Sequence, residues 1–132
     1  MRKIKHHAAL PYAELPAFIK ELRQREGTAA RAFEFLILTA ARTGEVIGAD
    51  WSEIDLVKGL WTIPPERMKA GREHRVPLTQ RAIELLGPPP DPRSGTVFAA
   101  GRSKAPLSNM AFLALLKRME RTDLTGHGFR ST

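Results

Sequence analysis

Cysteine is absent from the 132 residues, which removes disulfides, thiolate nucleophiles and cysteine-based zinc sites. Histidine is scarce. His6, His7, His74 and His127 are the only four, and none has the HExxH-type spacing that sets two imidazoles on one helical face, so no dedicated metal site is expected. No apolar run approaches the roughly 18 to 20 residues of a membrane span. The basic N-terminus leads directly into Pro11 and a polar helix, unlike the apolar core of a signal peptide. Internal repeats and a long linker are lacking too, so the chain reads as one cytoplasmic domain with its own core and no membrane partner.

Positive charge is what the chain has in surplus: 21 Lys and Arg stand against 14 Asp and Glu, a formal net charge of +7. That balance favours a polyanionic partner, nucleic acid before membrane, because no basic amphipathic helix stands out as a surface anchor. The bland alternative is a basic protein whose charge only keeps it in solution.

Residues 1–10, with Met1-Arg2-Lys3-Ile4-Lys5-His6-His7, read as the exit of a linker. Leu15, Phe18, Ile19 and Leu22 recur at helical spacing and predict a helix over 12–26, with Gly27 as its stop and Pro16 tolerable only near its first turn. Thr28 is the expected N-cap of a second helix reaching about Arg42. Its stretch from Ala32 to Ala41 is almost uniformly apolar, which predicts burial on most sides. Gly44 would then supply a left-handed cap, placing Arg42 near the partly negative end of that helix. A guanidinium delivered there is either the structural partner of Glu45, three residues on, or aimed at something else.

Asp50 to Asp55 predicts a turn or short helix with Trp51 in the core. Strands are expected at Ile54 to Val57 and Leu60 to Ile63, flanking a Lys58-Gly59 hairpin turn, and at His74 to Leu78, an edge strand because Pro77 cannot donate to a ladder. Lys69-Ala70-Gly71-Arg72 forms the turn before that third strand. Thr79 should cap a helix through Ala82, Ile83, Leu85 and Leu86, ended by Gly87 and the prolines that follow. A strand or extended piece is expected at Thr96 to Phe98. Ser108 should cap a last helix with an apolar stripe of Met110, Leu113, Leu116 and Met119 and a basic flank of Lys117, Arg118 and Arg121. The fold class is mainly α with a small three-stranded antiparallel sheet (α+β). His127 and Arg130 would share a face if helical, and no glycine or proline closes that segment before Thr132, so the chain is expected to be C-terminally incomplete.

Arg42, Lys69, His127 and Arg130 carry the chemistry. Fixed guanidiniums can contact the non-bridging oxygens of a phosphodiester bidentately, lysine is a compact proton donor, and histidine can donate a hydrogen bond or do acid/base work near neutral pH. Taken alone, Lys69 is more often just a solvated turn lysine, and a single His-x-x-Arg is weak.

Three blocks in order, Ala41-Arg42-Thr43-Gly44-Glu45, Met68-Lys69-Ala70-Gly71 ahead of Arg75-Val76-Pro77-Leu78, and His127-Gly128-Phe129-Arg130, resemble the catalytic domain of tyrosine recombinases, the phage-type integrases. The resemblance covers essentially the whole chain. It implies a site-specific DNA recombinase acting through a 3'-phosphotyrosyl bond without metal or other cofactor, on double-stranded DNA attachment sites, as a tetramer when full length and a monomer as a fragment. It makes Arg42 and Arg130 the two arginines on the scissile phosphate, Lys69 the proton donor to the departing 5' oxygen, His127 the first residue of the His-x-x-Arg box and Glu45 a supporting acid. It implies that residues 11–132 are a partial catalytic domain and that 1–10 leave a missing N-terminal DNA-binding domain. The family's nucleophilic tyrosine follows the His-x-x-Arg box, whereas the single tyrosine here is Tyr12, far upstream and given no catalytic role, so the fragment is expected to be unable to cleave. A non-catalytic basic DNA-binding module is the alternative.

Overall fold

The computed structural model describes residues 12–90, 94–100, 105–108 and 110–121. Among them are five α-helices, a three-stranded antiparallel sheet and a separate two-stranded one, so the expected class, mainly α with a small sheet, holds. None of these helices is long and apolar enough to cross a membrane.

A 3-10 turn at Tyr12–Glu14 leads into α1, Leu15–Arg23, where Pro16 sits in the first turn and its missing N–H leaves no bond unmade. Phe18 and Leu22, one turn apart, are its buried face. The helix stops at Arg23, short of Gly27. Gly27 is instead the N-cap of α2, Thr28–Thr39, with φ 106°, so Thr28 is the first helical residue rather than the cap.

Helix α2 is the centre of the molecule, and its burial on most sides was predicted by its apolar run. Ala30, Ala32, Phe33, Glu34, Phe35 and Leu36 are all buried, and the helix packs against α1 and the later helices. Phe33 and Phe35 stand two residues apart, about 200° round the helix, and so serve opposite sides. Phe33 stacks on Phe112 of the last helix at 5.0 Å and meets Phe18 edge-on at 6.0 Å. Phe35 faces the sheet side, 5.2 Å from Trp61 and 5.3 Å from Phe98.

The helix ends earlier than the glycine pattern suggested. Ala40 takes φ 54°, its N–H bonds the Ile37 carbonyl, and the Ala41 N–H reaches back to Leu36 at 3.2 Å. This is a Schellman ending with alanine where glycine is usual. Arg42 is therefore not at the negative end of α2. It is the N-cap of a further short helix, α3, Thr43–Ile47, and Gly44 lies inside that helix.

A 3-10 turn at Trp51–Glu53 follows, with Trp51 buried as expected. Strands β1, Ile54–Asp55, β2, Leu60–Ile63, and β3, His74–Pro77, form one sheet in the order β1-β2-β3, with Ile54 opposite Trp61, and Leu60 opposite Pro77 at the edge. The β1–β2 loop has four residues rather than two, because the Asp55 carboxylate accepts the Lys58 N–H at 3.0 Å and ends the strand before Leu56. Helix α4, Gln80–Leu86, is capped by Thr79, whose hydroxyl accepts the Ala82 N–H at 3.1 Å.

Thr96 to Phe98 is not a strand. Thr96 makes a single bridge to Asp50, and the Val97 N–H bonds Ala49, which seats Phe98 in the core. The next residues, Ala99–Ala100 (β4), pair with Ala105–Pro106 (β5) in a hairpin that the sequence did not suggest. The last described helix, α5, is Ala111–Arg118, preceded by Ser108, whose hydroxyl accepts the Met110 N–H at 3.3 Å. Its core face is Phe112, Leu115, Leu116 and Met119, whereas Met110 and Leu113 of the expected stripe are 61% and 40% exposed. The observed set follows the i, i+3, i+4, i+7 rule, and steps of three alone drift off the face.

Among the described residues one charged residue is buried in this core. Glu34 on α2 is 2% exposed and is met by Arg23 of α1 and by both Nε and Nη2 of Arg81 of α4, at 2.9 to 3.0 Å. Burial alone would push its carboxyl up, but the hydrogen bonds and attraction of Arg81 and Arg23 outweigh that and hold it below 4.5. Replacing Glu34 by Gln is expected to lower the unfolding free energy by about 2 kcal/mol at pH 7. The cost falls short of the roughly 3 to 5 kcal/mol of a fully buried pair because both guanidiniums keep access to water. The depressed folded-state value means that the wild-type advantage is complete above about pH 4.5 and is lost as pH falls below it through the lower folded-state value, which urea denaturation of the two proteins between pH 7 and pH 3 will measure.

Candidate functional site

Arg42 is exposed in the three-residue step between α2 and α3. Two constraints fix its backbone. Ala41 before it is buried at 4% exposure, and its own N–H donates to Oε1 of Glu45 at 3.0 Å. Glu45 is the third residue of α3, so its carboxylate closes the start of that helix in the manner of a capping box. Of the two readings of the Arg42 and Glu45 pair, the side-chain ion pair is not formed. The carboxylate is engaged with the main chain, and among the described residues no ion pair or hydrogen bond takes up the Arg42 guanidinium.

Lys69 is exposed at the tip of the β2–β3 connection. A 3-10 turn at Pro65–Arg67 brings the chain off β2. The Gly71 N–H then bonds the Met68 carbonyl at 2.9 Å, a tight turn with Lys69 at its second position. Met68 packs partly buried against the core and anchors the base of the turn.

Between these two cations lies a group that the sequence reasoning passed over. Arg67 donates Nε to Oε2 of Glu53 and Nη2 to Oε1 of Glu53, both at 2.8 Å, and Nη2 also reaches the Glu45 carbonyl at 3.3 Å. Glu53 additionally accepts the indole N–H of Trp61 at 3.1 Å and the Asp50 N–H at 3.4 Å. Arg67 and Glu53 are fourteen residues apart, beyond the reach of any local periodicity, so no motif signals the pair. The nearest hint is a charged residue in a turn adjoining Met68-Lys69.

Hydrogen bonds through Glu45 thus connect the backbone of Arg42 to Arg67, two residues before Lys69. His127 and Arg130 lie outside the described residues, as does the side chain of Tyr12. Within the described residues no group of three or more His, Asp or Glu is arranged to hold a metal ion.

The fold is that of the tyrosine recombinase catalytic domain. It matches a dimer of lambda integrase bound to a COC' core site with a TM-score of 0.70 at 20% identity, over 98% of this chain and 52% of that one. It matches XerA recombinase with a TM-score of 0.68 at 14% identity, over 98% and 49%. The sequence agrees. The chain belongs to the phage integrase family, whose profile matches residues 9–132. Prophage integrase IntZ of Escherichia coli (strain K12) is 42% identical over 137 residues, taking in 99% of this chain and 34% of that protein. The integrase of Shigella phage Sf6 is 35% identical over 134 residues, or 96% and 34%. The chain therefore spans about a third of the length of these relatives.

The capping role of Glu45 separates two substitutions. Glu45→Gln keeps an oxygen that accepts the Arg42 N–H and should change stability by only a few tenths of a kcal/mol, whereas Glu45→Ala should cost about 1 kcal/mol. Thermal unfolding of the two variants checks this, because an ion pair with Arg42 would make both substitutions costly.

Proposed function

We propose that residues 11–132 form part of the catalytic domain of a site-specific DNA recombinase, with residues 1–10 joining it to an N-terminal DNA-binding domain. The whole protein breaks and rejoins double-stranded DNA in the cytoplasm, as a tetramer on paired attachment sites. Arg42 and Arg130 hold the scissile phosphate, and His127 assists by hydrogen bonding. Lys69 protonates the departing 5' oxygen, and Glu45 sets the backbone of Arg42. A tyrosine beyond residue 132 attacks phosphorus, and the bond energy kept in the 3'-phosphotyrosyl link allows rejoining without a nucleotide cofactor.

The observation that carries this reading is the state of Arg42. Its backbone is held from both sides, yet its guanidinium is exposed and engaged by no described residue. An arginine so held is pre-organised for an anion supplied from outside.

A DNA substrate that traps the cleaved strand tests the proposal. Residues 1–132 should bind DNA with an affinity that falls steeply with salt and should form no covalent adduct. A chain continued through the tyrosine segment should form one, and Arg42→Ala in that chain should slow it by about a hundredfold or more. An adduct with residues 1–132 alone would overturn the assignment of the nucleophile. DNA binding without an adduct from the longer chain would leave a non-catalytic DNA-binding module.

A further inference from the structure

We infer that Arg67 is a positioning residue for Lys69, and that the fork joining Arg67 to Glu53 holds the turn carrying Lys69 in place against the helix that begins at Arg42. The inference rests on the proposed function and adds to it a residue that acts through another.

The physical case begins with Lys69 itself. A lysine ammonium rides on a flexible four-carbon stem, so where it can deliver a proton depends on where its backbone is held. The turn of Lys69 is an exposed loop tip with one short hydrogen bond of its own, from Gly71 to Met68. Met68 anchors the base of the turn by packing, and the hydrogen bonds that tie it to the start of α3 come from Arg67, two residues before Lys69. The guanidinium fork to Glu53 is two-pronged, with both bonds at 2.8 Å, and the Glu53 side chain is only 8% exposed. The same Nη2 reaches the main-chain carbonyl of Glu45, whose carboxylate holds the Arg42 N–H. Arg67 therefore links the donor-bearing turn to the phosphate-binding helix through hydrogen bonds alone.

Gly48 supports the same reading. A Cβ built there would lie 2.5 Å from Nη1 of Arg67, while the backbone of Gly48, φ −86°, suits any residue. The glycine is thus needed for the close approach of Arg67 rather than for its own conformation.

In the reaction, the tyrosine releases its phenolic proton to solvent and its oxygen bonds to phosphorus, while the P–O5' bond breaks with its pair staying on O5', which takes a proton from the Lys69 ammonium. If O5' is replaced by sulfur, the leaving thiolate needs no proton, since a thiol has a pKa of about 8.5. A positioning residue for the proton donor is then dispensable, whereas a residue needed for folding or for phosphate binding is not.

The test compares cleavage of the two substrates by the chain continued through the tyrosine segment. Arg67→Met and, separately, Gly48→Ala, which displaces the guanidinium while leaving Arg67 and Glu53 intact, are expected to slow the oxygen substrate about 10- to 100-fold and the sulfur substrate less than about threefold. Lys69→Ala should show the same pattern. Equal slowing of both substrates, or no slowing of either, would overturn the role of Arg67, and Gly48→Ala decides the matter if Arg67→Met does not fold. Sulfur rescue of Lys69→Ala without rescue of the other two overturns this inference alone. A wild-type chain that cleaves neither substrate, or a Lys69→Ala variant without rescue, overturns the proposed roles and this inference with them.

Discussion

A helix can be buried on most of its surface only if every polar group it carries inward finds a partner, and in α2 that condition falls on Glu34. Its carboxylate is met by guanidiniums from α1 and α4, so this buried charge also ties three helices together. With that satisfied, Phe33 and Phe35 can point to opposite sides of α2 and join the helical layer to the sheet. The position of Arg42 follows, because it lies in the short step between the end of α2 and the start of α3.

How α2 stops shows where reading the sequence succeeds and where it fails. The apolar run announces a buried helix, and the helix is there. Its end was expected at Gly44 because glycine adopts the left-handed cap freely, but Ala40 adopts it instead, at a cost of about 1 kcal/mol. The compensation is tertiary. Ala41 is drawn into the core and Arg42 is turned out, a gain that no local propensity records. A local effect of a different kind moved the β1–β2 turn, where the Asp55 carboxylate accepts the N–H of Lys58, three residues on, and ends the strand before Leu56.

The sheet, the cap at Thr79 and the burial of Trp51 were legible because each depends on neighbours within a few residues: alternation, a hydroxyl before a helix, an aromatic beside a turn. The core face of α5 was half legible, since Leu116 and Met119 are buried but Met110 and Leu113 are not. Of the proposed site, Arg42, Glu45 and Lys69 could be picked out by their order along the chain. The bond between Glu45 and the Arg42 N–H could not be chosen over an ion pair, because the two readings use the same two residues. The Arg67 and Glu53 fork was invisible for a different reason: it exists only once β2 has turned the chain back beside α3.

That fork also clarifies what the surplus of positive charge is for. A net charge of +7 suggests a polyanionic partner but does not say which cations meet it. The structure sorts them. Arg23 and Arg81 are committed to Glu34 and Arg67 to Glu53. These guanidiniums position helices and turns around largely buried carboxylates and are not free to take up a phosphate without releasing one. Arg42 is different in kind, since its carboxylate neighbour has been diverted to the main chain and its own charge is left exposed. The acid three residues on keeps the arginine in place without neutralising it, which is what an arginine meant for an external anion requires.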